Sequence, residues 1–113
     1  KIIAKGMENL CNLVQHFDYG PGYKVPQILV VSPIHIGEDM DHCPFASFDE
    51  TSPVKSRNLA PLYGQVAKSL GCMYIDAASL AQASSLDQLH MDAKNHGVLA
   101  EGIMTVVKSF FEP

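Results

Sequence analysis

Met7, Leu10, Val14 and Phe17 recur three and four residues apart, with Leu13 beside them and polar Glu8, Asn9, Asn12 and Gln15 between. That is the period of a helix with one apolar face, and the pattern predicts an amphipathic helix over 3–17. Asp18-Tyr19-Gly20-Pro21-Gly22 ends it, because prolines and glycines do not continue the helical hydrogen-bond ladder. Gln27-Ile28-Leu29-Val30-Val31-Ser32 follows, an aliphatic run without polar alternation. Such a run predicts a strand covered on both faces, as in a parallel sheet between helix layers, closed by Pro33. Leu59, Leu62, Val66 and Leu70 restore the helical period and Gly71 terminates it, with Pro61 expected in the first turn or at a kink. Cys72-Met73-Tyr74-Ile75-Asp76 reads as a second strand. Leu99, Ile103, Val106 and Phe110 mark a last helix beginning near Asp92, with Val106 and Phe110 in the core.

Strands alternating with helices predict an α/β fold, a three-layer α/β/α arrangement around a parallel sheet. A chain of 113 residues is one domain at most. Two strands alone would leave both sheet edges unpaired, so the unit is expected to be incomplete. Its edges would pair with a missing amino-terminal half or with another chain, a further copy of this one included. No internal repeat or linker divides 1–113.

Composition narrows the partners. The chain is 47% hydrophobic and 18% charged, an ordinary globular balance with enough apolar residues for a core. A formal charge of -4 without a basic stripe argues against nucleic acid and anionic membrane, and no apolar run approaches the roughly 20 residues of a membrane span. Cys11, Cys43 and Cys72, widely spaced, are expected to be buried free thiols, which leans toward a reducing, cytoplasmic compartment.

The candidate chemistry lies in Leu86-Asp87-Gln88-Leu89-His90-Met91-Asp92, after a strand and just before the last helix. Loops beyond the carboxyl ends of strands form the ligand crevice of open α/β sheets. A general base needs an imidazole of fixed tautomer, and a carboxylate accepting from Nδ1 supplies this while Nε2 stays free. Asp87 and His90, three positions apart on a turn, are that candidate pair. The D-x-x-H spacing alone is weak, since about 0.3 such pairs arise by chance in a chain of this composition. Asp39 and His42 form a second one inside the long segment 34–53, which lacks a period and is the expected recognition loop. Context, strand before and helix after, selects 87–90. The two His, three carboxylates and Cys of 34–43 lack a ligand spacing, so no metal site is expected there. His16 is expected at the surface, and Asp76 as a cap or turn residue at the end of its strand.

Leu86 through Ala100 resembles the last conserved block of the SGNH/GDSL serine esterases and lipases, in which the Asp and His of a D-x-x-H turn complete a triad. Pro26 to Pro33, and later Tyr74-Ile75-Asp76-Ala77, are similar to the two strands before that block, particularly in bacterial arylesterase and acyltransferase members. The resemblance implies catalytic roles for His90 and Asp87, a small-molecule ester as substrate, no cofactor and no metal. It also implies Ile34 and His35 beside an acyl pocket and a structural role for His96. The family's G-D-S and G-x-N-D blocks are absent here, and none of the nine serines sits in a G-x-S-x-G elbow. The resemblance therefore implies a carboxy-terminal half that lacks its nucleophile and is inactive alone. The alternative is a non-catalytic α/β binding module that uses the 34–53 loop.

Overall fold

The computed structural model describes residues 2–112. Three helices, α1 (Ile2–His16), α2 (Ser52–Leu70) and α3 (Ala93–Ser109), alternate with strands β1 (Leu29–Ser32) and β2 (Met73–Asp76). The strands pair in parallel, with Leu29 opposite Met73 and Ser32 opposite Asp76. The order and the parallel sheet are those the hydrophobic pattern predicts, and the fold class is α/β.

The core lies where α1 and β1 meet α2: Ala4, Cys11, Val30, Tyr63 and Ala67 are buried together, flanked by Met7, Leu59, Leu62 and Tyr74. Val30 is fully buried, and burying an aliphatic side chain is worth about 1.5–3 kcal/mol relative to exposure. Along β1 only Val30 and Ser32 are fully buried, while Leu29 and Val31 are half-buried. The expected cover on both faces is thus incomplete, since α2 packs on the strands from one side and no second layer seals the other as tightly.

Helices α2 and α3 depart from expectation, and α1 buries only part of its apolar stripe. In α1 the buried face carries Ala4 and Cys11 with Met7, whereas Leu10, Leu13 and Phe17 of the apolar stripe are exposed. Small residues let α1 approach α2 closely, and the bulkier stripe faces outward. Helix α2 begins at Ser52, well before Leu59. Its start is set by Asp49, whose Oδ1 accepts from the Thr51 amide and hydroxyl at 2.8 and 2.6 Å, and by Pro53 in the first turn, where a missing N–H costs nothing. Pro61 therefore sits inside the helix rather than near its start. Helix α3 buries no residue, and Val106 and Phe110 are only half-buried. It meets the rest at Asn95, whose Oδ1 accepts from the Gln82 amide at 3.0 Å, and at Gly102, against which Leu80 is packed so closely that a Cβ would lie 2.4 Å from Leu80 Cδ1.

Helix α2 ends as its glycine predicts: Gly71 adopts φ 70°, and the Cys72 amide reaches back to the Ala67 carbonyl at 2.8 Å. Of the three cysteines, all free, only Cys11 is buried. Burial, and then the neighbouring Cys72 thiol, push the Cys11 thiol up from its ordinary value. The radius of gyration is 16.2 Å, against about 13 Å for a compact domain of this length. A two-stranded sheet, exposed apolar helix faces and an extended shape are the marks of an incomplete α/β unit. Among the described residues no helix is long and apolar enough to cross a membrane.

Candidate active site

The segment after β2 is folded by its own short-range bonds. Asp76 Oδ1 accepts from the Ala78 amide at 3.0 Å, turning the chain out of the strand, and also from the hydroxyl of buried Ser32 at 3.1 Å. Asp76 is thus a turn residue, as expected. Further on, the Ser84 amide donates to the His90 carbonyl at 2.7 Å and the Gln88 amide to the Ser84 carbonyl at 2.9 Å, closing a compact turn. Asp92 then caps α3 by accepting from the Asn95 amide at 2.9 Å. This cap fixes the helix at the position read from the sequence and holds the residues before it as one unit.

Within that turn the two oxygens of Asp87 have different tasks. Oδ1 accepts from the backbone amides of Leu89 and His90, each at 2.9 Å, and Oδ2 meets His90 Nδ1 at 2.6 Å. The His90 and Leu89 amides, followed by the His90 ring, hold the Asp87 carboxyl down to about 2, so it is ionised at neutral pH. An ionised carboxylate only accepts, so Nδ1 carries the proton and donates. The lone pair of Nε2 is left free, and among the described residues no side chain other than Asp87 hydrogen-bonds the His90 ring. The Asp87 side chain is 22% exposed and the His90 side chain 71%. The carboxylate is sheltered while the imidazole faces outward. The Phe45 ring from the long loop stands edge-on to the His90 ring with centroids 6.0 Å apart.

Next to this turn a cleft of about 660 Å³ is lined by His35, Gly37, Arg57, Ser84, Gln88 and Asn95 among others. His35, one of the two residues expected beside a pocket, is on its wall. Ile34 is half-buried and lines neither this cleft nor the larger one of about 800 Å³, whereas Ile36 lines both. The larger cleft, walled by Ile2, Ile3, Phe48, Leu59 and Leu62, does not include Asp87 or His90. Asp87 and His90 line neither cleft, and the larger one carries Lys55 and Asn58 beside its apolar side chains.

The second D-x-x-H also closes, with His42 Nδ1 and Asp39 Oδ2 at 2.6 Å in a 3-10 turn at Met40–His42. His16, at the surface as expected, has its Nδ1 2.8 Å from the Asn12 carbonyl, and His96 is exposed on α3. Among the described residues no three His, Cys, Asp or Glu side chains converge into a metal site. Two contributors escaped the sequence reading. Phe45 and Gln88 reach the turn through contacts between distant segments, and a pattern along the chain carries no signal for these.

No family model and no curated protein sequence matches the chain. Solved structures do. A carbohydrate acetylesterase family member from Sinorhizobium meliloti superposes with a TM-score of 0.81 at 33% identity, over 94% of this chain and 50% of that one. The native aryl esterase of M. smegmatis gives 0.82 at 28%, over 96% and 51%. A second carbohydrate acetylesterase from Sinorhizobium meliloti gives 0.82 at 25%, over 96% and 51%. The chain thus spans about half the length of the structures it matches.

Proposed function

Starting from a chain that has the fold of the SGNH-type esterase structures over about half their length, we propose that residues 1–113 are the carboxy-terminal part of a single serine-esterase domain. In this reading the chain contributes the base and its orienting carboxylate to a Ser-His-Asp triad, and the substrate is a small carboxylic ester. The observation that carries the proposal is the Asp87–His90 pair, with the proton fixed on Nδ1 and Nε2 open. The esterase character of the matched structures supports it.

The nucleophile is a serine on polypeptide outside these residues. None of the serines here hydrogen-bonds the His90 ring among the described residues, and Ser32 is fully buried in bonds to Tyr74 and Asp76. His90 Nε2 would take the proton of the external hydroxyl as its oxygen attacks the ester carbonyl. The imidazolium so formed is supported by Asp87, and it returns its proton to the departing alcohol oxygen as the acyl-serine forms. Water, deprotonated by the same Nε2, then releases the carboxylic acid and frees the serine. The 113-residue chain alone, with neither nucleophile nor oxyanion donors in place, would not turn over.

The test is a fluorophosphonate label on the complete protein, followed by peptide mapping. Labelling of a serine outside this chain, lost when His90→Ala is introduced, is the expected result. A complete protein that neither labels nor hydrolyses simple esters would remove the reading.

A further inference from the structure

Gln88, between Asp87 and His90, is the one non-glycine residue with positive φ among the described residues, at 66°, and it is buried at 8% exposure. A buried glutamine in a left-handed conformation persists only when its surroundings hold it there. Here they do so from a distant segment. Its Oε1 accepts from the Asp39 amide at 3.2 Å, and its main-chain carbonyl accepts from the Gly37 amide at 2.8 Å. Its Nε2 donates to the Ser85 carbonyl at 3.2 Å. The fit leaves no slack, since a Cβ at Gly37 would lie 1.9 Å from Gln88 Oε1 and 3.1 Å from Gln88 Cβ. The same stretch of loop is tied to α2 by the Ser56 hydroxyl on the Ile36 amide at 2.9 Å and by the Arg57–Glu38 ion pair. Downstream of these ties the loop carries Phe45 to the edge of the His90 ring.

We propose that Gln88 is a positioning residue that latches Gly37–Asp39 onto the Asp87–His90 turn, so that Phe45 stands as a fixed wall limiting the bulk of the acyl group beside Nε2. The functional half of this inference rests on the esterase reading; the latch itself does not. Gln88→Gly separates the effects, because glycine adopts the positive φ freely and only the side chain is lost. Gln88→Glu keeps an oxygen for the Asp39 amide.

The experiment measures amide hydrogen exchange at Asp39, together with kcat and KM for an aryl acetate and the matching branched-chain ester, in the complete protein. In Q88G the Asp39 amide should exchange about three- to tenfold faster, as expected for one lost hydrogen bond. The preference for acetyl over the branched acyl group should fall about fivefold, chiefly through a lower KM for the bulky ester, and Q88E should restore most of both. Unchanged exchange at Asp39 overturns the latch. Faster exchange with unchanged acyl preference overturns the positioning role. A wild-type protein without esterase activity brings down the esterase reading and the acyl wall with it, while exchange still decides the latch.

Discussion

Two turns in this molecule have the same spelling and the same bond. Asp87–His90 and Asp39–His42 are both D-x-x-H, and in both an aspartate Oδ2 lies 2.6 Å from Nδ1. They differ in what holds the carboxylate. Asp87 is gripped by two backbone amides and its side chain is 22% exposed, between a turn closed by Ser84 and a helix capped by Asp92. The Asp39 side chain is 54% exposed in a 3-10 turn of the long loop. Three-residue spacing therefore suffices to close the pair, but an exposed pair is easily broken by water, whereas an anchored carboxylate holds the imidazole in one orientation. The lesson is that the surrounding backbone, and not the spacing, distinguishes the two pairs: both imidazoles are exposed, and only the Asp87 carboxylate is held by its own turn.

The comparison breaks most readily at the histidines. In the complete protein His90→Ala should lower turnover by roughly 10⁴-fold or more, and His42→Ala should change it by less than about twofold. Comparable losses at the two positions would mean that context does not separate them. The next effect is at the carboxylate. Asp87→Asn should cost on the order of 10³-fold, because an amide no longer fixes the proton on Nδ1, and the same change combined with His90→Ala should add little, as steady-state kinetics on the double variant would reveal. A third effect is one of pH. The folded carboxyl of Asp87 lies at about 2, below its ordinary 3.8. Its contribution to stability is therefore fully present above about pH 4 and is lost as pH falls through about 2. Carbon-13 NMR of the carboxyl should give a midpoint near 2, and a midpoint near 4 would show that the two amide bonds do not form in solution. The smallest signal should come from the isolated 113-residue chain, whose ester hydrolysis is expected not to exceed buffer. Turnover there would place a nucleophile within these residues.

Much of this architecture was legible because its causes are local. The parallel pair of strands follows from two short apolar runs separated by a helical period, and the start of α3 follows from Asp92 preceding the next such period. The pairing of Asp87 with His90 was legible for the same reason, as a three-residue turn. What failed depended on distant surfaces. The stripe Leu10, Leu13 and Phe17 has a helical period but is exposed, since periodicity shows that a face is apolar without showing what covers it. The early start of α2 was hidden because Val54 and Lys55 break the apolar rhythm while Asp49, Thr51 and Pro53 set the boundary through capping geometry. The hold of Gln88 on the loop joins residues 49 positions apart, and a polar residue in a turn gives no hint of a partner so remote.

The two-stranded sheet has a last consequence, for handling rather than catalysis. The outward backbone groups of a bare strand will accept any extended segment of suitable length, and α1 also exposes Leu10, Leu13 and Phe17. Purified by itself, this polypeptide should be prone to cross-chain association at high concentration, driven by the same forces that would let a proper companion segment zip into place.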